Sequence, residues 1–253
     1  SEPGTYYLYD TVSGNLGILG NYHPELQDAD LNPTETIRYK ASDGMEIPAV
    51  ITYPRHRPSR KNLPVIVMPH GGPFGIRDEE EFGPFPWHQA MAELGYVVIQ
   101  PNYRGSGGYG KQFVLEGRKP NGYGQRMQDD LNDALTWFGQ TGLIDPKRAC
   151  IMGWSYGGYA TARGAQRDPG VWKCAIAGAG VYDFPMMKAY DQGAFGSFGA
   201  NFQATADNLV AISSARNTDG PWAPILIVAG LRDARIPIEQ SRTLVSRLKS
   251  SGK

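Results

Sequence analysis

Residues 153–157, Gly153-Trp154-Ser155-Tyr156-Gly157, spell Gly-x-Ser-x-Gly. The apolar run Ala149 to Met152 leads into them and the small-residue stretch Tyr156 to Ala165 follows. A serine between a strand and a helix in this setting has its hydroxyl exposed at a helix N-terminus, with the flanking glycines permitting the sharp turn. Ser155 is the candidate nucleophile, and a plain glycine turn is the alternative. Further on, the apolar run Pro224 to Ala229 ends in Gly230-Leu231-Arg232-Asp233. An acid just past a strand end, downstream of the serine, is where a triad acid belongs in the order Ser, Asp or Glu, His. Asp233 would hold a histidine in the correct tautomer and stabilise its cation. The four histidines, His23, His56, His70 and His88, all precede Ser155, so the chain contains no histidine in the position that order requires.

The elements that must carry these residues are legible as apolar runs. Pro64 to Met68 reads as a buried strand running into Pro69-His70-Gly71-Gly72-Pro73, where two glycines bring backbone N–H groups close to anything above the strand end. An ordinary tight turn is the alternative there, and His70 is not read as the general base. Pro86 to Leu94 reads as a helix, Tyr96 to Gln100 and Cys174 to Gly178 as strands, and Glu239 to Leu248 as a closing helix. Met127, Leu131, Ala134, Leu135 and Phe138 recur at helical spacing, with Asp129, Asp130 and Asp133 expected to cap or face solvent. Gly105, Gly107 and Gly110 form a literal Gly-x-Gly-x-x-Gly, followed about 20 residues later by Asp129 and Asp130. A dinucleotide site would want its acid at the end of a strand, whereas these aspartates open a helix, so the nucleotide reading is set aside. Residues 5–9 and 15–19 read as two short strands, 20–34 as a linker, and 35–40 with 47–53 as a hairpin. The basic run 55–61 and the acidic run 78–81 read as solvated loops. Residues 188–222 show no period and are expected to be loops and short helices.

With 253 residues, 41% of them hydrophobic, the chain can bury one sizeable core. Its net charge of +0 speaks against nucleic acid or an anionic membrane as the main partner. No apolar run approaches the roughly 18 residues of a membrane span. The scattered histidines lack metal-ligand spacing, so no metal and no other cofactor is expected. Cys150 and Cys174 are expected to be buried free thiols.

The segment Gly153 to Tyr159, Gly-Trp-Ser-Tyr-Gly-Gly-Tyr, resembles the nucleophile segment of the prolyl oligopeptidase family of serine peptidases, and Asn102 to Gly107 resembles a loop of the same family. The resemblance implies an α/β-hydrolase fold, with a mostly parallel central sheet and helices on both faces, and a Ser-Asp-His triad. It implies that the N–H groups of Gly72 and Tyr156 form the oxyanion hole. It places Val181, Phe184, Met187 and Ile236 on the wall of the pocket for the residue before the scissile bond, where core packing is the alternative. It places Arg235 on a substrate carbonyl. By the same resemblance a β-propeller precedes the hydrolase domain. Residues 1–34 are then a propeller remnant and linker, and residues 35–253 a catalytic domain lacking its last strand and its histidine. A hairpin packed on the domain's own edge is the alternative for the N-terminal strands. The expected partners are short peptide substrates, the propeller of the same protein and a second copy of the chain. The compartment is left open between cytoplasm and periplasm. Three functions compete: a serine exo- or oligopeptidase, a carboxylesterase or lipase on the same fold, and a silent binding domain favoured by the missing histidine. The chain by itself is expected to be nearly inactive.

Overall fold

The computed structural model describes residues 4–21, 23–26, 30–81, 86–200 and 208–253, with residues 195 and 197–200 described as backbone only. Parts of the expected 20–34 linker and of the 188–222 stretch therefore lie outside the described residues. Nine strands are described: β1 (Thr5–Tyr9), β2 (Leu16–Asn21), β3 (Thr34–Lys40), β4 (Glu46–Thr52), β5 (Leu63–Val67), β6 (Val97–Pro101), β7 (Ile144–Trp154), β8 (Cys174–Gly178) and β9 (Ile225–Val228). The α-helices described are α1 (Trp87–Glu93), α2 (Lys111–Gly117), α3 (Met127–Gln140), α4 (Tyr156–Arg167), α5 (Phe184–Ala200), α6 (Leu209–Ile212) and α7 (Ile238–Ser250).

Seven strands form one sheet in the order β3-β4-β6-β5-β7-β8-β9. β3, β4 and β6 pair antiparallel, and β6 through β9 are parallel in spatial succession. Alternate residues of the parallel strands, Val65, Val67, Val97, Ile99, Ala149 and Ile151, share one core cluster with Leu131, Ala134, Leu135 and Phe138 of α3. The intervening Ile66, Val98 and Met152 are buried outside that cluster, as the two-residue period of a strand dictates, and α1 packs against β6 and β4. At the β9 edge Leu226 and Val228 remain exposed. β1 and β2 form a separate two-stranded ribbon whose Tyr6, Leu8, Tyr9, Leu16, Ile18 and Leu19 are exposed.

Several expectations are corrected. Cys150 and Cys174 are disulfide-bonded and not free thiols. They are register partners on the adjacent strands β7 and β8, with Cα atoms 4.7 Å apart, because neighbouring strands bring in-register residues side by side. The strand leading to Ser155 is longer than the run 149–152, starting at Ile144. Residues 188–222 include most of α5, a 17-residue helix with a non-helical Gly196 inside it.

The solvated reading of the three aspartates fails for Asp130, which is fully buried. Its carboxylate accepts from Nε and Nη2 of Arg104 and from the Arg104 backbone N–H, at 2.7–3.2 Å. The same guanidinium reaches Asp43 at 2.9 Å. Asp129 pairs with Arg126 and Arg167, and Asp133 accepts from the Ser42 backbone at 2.7 Å.

Candidate active site

Ser155 stands between β7 and α4 with φ 58° and ψ −120°, one of three non-glycine residues at positive φ among the described residues. That backbone is what a strand needs to reverse into a helix within one residue, and it costs a residue bearing a Cβ. The turn is held by the Ser155 N–H, which donates to the Gly178 carbonyl at 2.9 Å, and by the Ser155 carbonyl, which accepts from Tyr159 at 3.0 Å. The flanking glycines answer a second demand, close approach. A Cβ on Gly153 would lie 2.6 Å from the backbone of Gly157, and one on Gly157 would overlap the Pro69 carbonyl oxygen.

That contact brings the loop after β5 against the elbow. A Cβ on Gly71 would lie 3.9 Å from Ser155 Oγ. Gly72 has φ 122°, and its N–H makes no hydrogen bond among the described residues. Tyr156 opens α4, so its N–H has no acceptor within the helix and is likewise free among the described residues. Two unengaged N–H groups thus flank the serine.

His70 braces this loop. Its Nδ1 lies 2.7 Å from the Gly71 carbonyl oxygen and its Nε2 lies 2.8 Å from Ser106 Oγ, while the ring stacks on Tyr103. The Tyr103 hydroxyl donates to the His70 carbonyl at 2.8 Å. Burial pushes His70 down to about 4, so the imidazole is neutral and both its nitrogens are occupied by structural contacts. The decoy glycines belong to the same assembly: Gly75 donates to Gly105 at 3.2 Å, and Gly107 donates to Ile76 at 2.9 Å. The 105–110 loop is a scaffold for the segment beside Ser155.

Asp233 lies past the end of β9. Its Oδ1 accepts from the N–H groups of Arg235 at 2.8 Å and Ile236 at 2.9 Å, while Oδ2 accepts no hydrogen bond among the described residues. One oxygen is thus fixed by the backbone and the other is left for a donor. Arg235 Nη1 donates to Asp191 Oδ1 at 2.7 Å, and the Tyr190 hydroxyl donates to the Ala234 carbonyl at 2.7 Å. α5 therefore latches the Asp233 loop, and Asp191, fully buried, positions Arg235. Sequence reading missed both residues because they lie in the stretch without a period. An acid and an aromatic side by side were the only signal.

Of the expected pocket residues, Phe184 and Met187 are fully buried in the main core, and Val181 and Ile236 are nearly so. Phe184 packs edge-on against Tyr123 and Tyr159, with Tyr156 beside them. The open cavity beside the serine lies elsewhere. It has a volume of about 540 Å³ and is bounded by Gly71, Gly72, Gly153 and Trp154 on one side and by Trp87 and Gln100 on another. Trp87 and Trp154 stack with ring centroids 6.5 Å apart.

Among the described residues no group of three or more His, Cys, Asp or Glu could hold a metal ion. No helix of the described residues is long and apolar enough to cross a membrane. His23 pairs with Glu25 and His56 with Glu93, so neither is an imidazole committed to Asp233.

The sequence profile of the prolyl oligopeptidase family matches residues 85–253. The chain belongs to this family. Dipeptidyl aminopeptidase BIII of Pseudoxanthomonas mexicana is 29% identical over 98% of this chain and 37% of its own length. The uncharacterized peptidase YuxL of Bacillus subtilis is 30% identical over the whole chain and 38% of its own length. Among solved structures, the Pyrococcus horikoshii acylaminoacyl peptidase superposes on all of this chain and 41% of its own with a TM-score of 0.81 at 26% identity. A puromycin-hydrolyzing peptidase of Mycobacterium tuberculosis gives a TM-score of 0.85 at 23% identity, over 99% of this chain and 39% of its own, which bears on the fold alone. The fold is the α/β-hydrolase fold of these prolyl oligopeptidase relatives, and the chain spans less than two-fifths of the length of the curated relatives named.

Proposed function

We propose that the protein to which this chain belongs is a serine peptidase of the prolyl oligopeptidase family acting on short peptides. The observation that carries the reading is Ser155 at positive φ on the β7–α4 elbow, flanked by the unengaged Gly72 and Tyr156 N–H groups. Ser155 Oγ attacks the scissile carbonyl, and the oxyanion that forms accepts from those two N–H groups. A histidine base takes the serine proton and returns it to the leaving amine. Water then hydrolyses the acyl-enzyme. Asp233 Oδ2 is the acceptor that orients this base. None of the four histidines fits the part, so the proposal assigns the base to the complete protein outside residues 1–253. Arg235, held by Asp191, binds a substrate carbonyl, and Val181, Phe184, Met187 and Ile236 back the pocket for the acyl residue. For the last four the support is their place beyond β8 and β9, together with family membership; their burial requires this wall to yield to a substrate.

Residues 1–34 are proposed as the end of an N-terminal β-propeller and its linker, supported by the exposed apolar β1–β2 ribbon and by the length of the relatives. The 253-residue chain alone should retain only the residual catalysis that an oxyanion hole and binding provide. The test is labelling of the complete protein with a fluorophosphonate, alongside turnover of matched peptide and ester substrates. Labelling lost in Ser155→Ala, with peptides cleaved, supports the reading. Ester turnover without peptide turnover favours a carboxylesterase, and no labelling of the complete protein leaves a silent domain.

A further inference from the structure

The cavity of about 540 Å³ beside Ser155 is not the acyl pocket of the proposed mechanism, and the sheet order shows why. Val181 and Ile236 follow β8 and β9, on one side of the nucleophile strand β7. The cavity lies over β5 and β6, on the other side: Gly71 and Gly72 follow β5, Gln100 belongs to β6, and Trp87 opens α1. A peptide crossing Ser155 with its acyl residue over β8 and β9 extends its leaving portion over β5 and β6.

The cavity's chemistry is uneven. Its upper walls are apolar, formed by Ile76, Met152 and the stacked indoles of Trp87 and Trp154. Asp78 and Gln100 also line it, and the Gln100 side chain acts to lower the Asp78 carboxyl against the effect of burial. Asp78 Oδ2 and Gln100 Oε1 are both buried and both without a hydrogen-bond partner among the described residues. Buried acceptors without donors are costly and uncommon. The expectation that Asp78 belongs to a solvated acidic run is thus corrected: its backbone N–H is tied to Asn102 at 2.7 Å, which turns the residue inward from Glu79 and Glu80. Among the described residues no lysine or arginine lines the cavity. The neighbouring Arg77 is paired with Glu79. Burial keeps His70 and His88, the two histidines of the lining, neutral, each pushed down to about 4. Burial, with Glu81 adding to it, pushes Asp78 up to about 7, as expected of a carboxyl that lacks a cation.

We propose that this cavity binds a basic side chain, lysine or arginine, of the residue following the scissile bond, its charged head on Asp78 and Gln100 and its stem between the tryptophans. Two buried acceptors, one of them a carboxylate, call for a head with several N–H donors. Indole faces suit a cation and its methylene stem alike. The proposal rests on the serine peptidase reading and on its placement of the acyl residue.

The experiment uses the complete protein and peptides with one fixed acyl part and lysine, arginine, norleucine or glutamate after the scissile bond. Lysine and arginine peptides should exceed the norleucine peptide at least tenfold in kcat/KM, and glutamate should be poorest. Asp78→Asn, which keeps the shape and removes the charge, should compress the lysine-to-norleucine ratio to within twofold. A wild-type ratio near one, or a ratio that survives Asp78→Asn, overturns the site while leaving the peptidase reading intact. Preference for a basic residue before the scissile bond overturns it equally. If no peptide is cleaved, the peptidase reading itself fails, and binding of 1-aminohexane against 1-hexanol, followed by tryptophan fluorescence on Ser155→Ala, decides the cavity. Tenfold tighter binding of the amine, lost in Asp78→Asn, upholds a cation site there, and equal binding removes it.

Discussion

Replacing Ser155 by alanine and by glycine separates the strain of the elbow from its chemistry. At φ 58° and ψ −120° a residue with a Cβ occupies a region that glycine enters freely. Holding it there costs about 1–3 kcal/mol. Ser155→Ala keeps that cost and Ser155→Gly removes it. Glycine brings an opposing loss of about 0.5–1 kcal/mol, because its unfolded chain has more conformations to give up. Midpoints of the two ranges leave the glycine variant about 1 kcal/mol more stable than the alanine variant, or about 2–4 °C in Tm for a chain of this size. Thermal unfolding followed by circular dichroism in one buffer reads the difference. Fluorophosphonate labelling should vanish in both variants, since both lack the hydroxyl. A glycine variant melting at or below the alanine variant would refute the account, because the turn would then be a conformation that alanine adopts without cost.

Arg104→Met leaves Asp130 fully buried and unpaired, and urea unfolding should show a loss of about 3–5 kcal/mol. In the complete protein, Asp191→Asn releases Arg235 from its ion pair and should raise KM for peptides about tenfold, the equivalent of about 1.4 kcal/mol, with a smaller change in kcat. Unchanged steady-state kinetics would remove Asp191 from the positioning role. Burial lowers His88 from the ordinary 6.5 to about 4, so between those values the unfolded chain carries a proton on it that the folded chain lacks. The wild type should therefore lose stability relative to His88→Gln as the pH falls from about 6.5 to about 4, by about 1.4 kcal/mol per pH unit, measured by urea titrations across that window. Thiol titration in denaturant should find no free thiol before reduction and two after it.

Much of the fold is local in origin and was therefore readable. Apolar runs marked β5, β6, β8 and β9 to within a few residues and the second half of β7, and helical spacing marked α3, because burial on a strand or a helix imposes its own period on the chain. α2 and the long α5 escaped, since the first is short and begins after a glycine loop, and the second carries glycines that blur its period. Ser155 and Asp233 were legible as candidates because the roles proposed for them demand particular residue types at a strand end. Asp130, Asp78 and Cys150 were misread for one shared reason. An acid or a thiol has the same letter whether it meets water, an arginine from another element or a partner on the next strand.

The sequence by itself determined the glycine-flanked turn at the candidate nucleophile Ser155, the acid past β9, the glycine loop after β5 and the absence of a histidine downstream of Ser155 within these residues. Each of these depends on backbone conformation or on order along the chain, and both are written in neighbouring residues. Only the tertiary structure decided that His70 is a neutral brace, that Asp191 holds Arg235, that Cys150 bonds Cys174, and that Asp78 and Gln100 line a cavity beside Ser155 with acceptors unmatched among the described residues. Those are facts of proximity between elements far apart in the chain, and the charge, protonation and bonding of a side chain follow from what it is packed against.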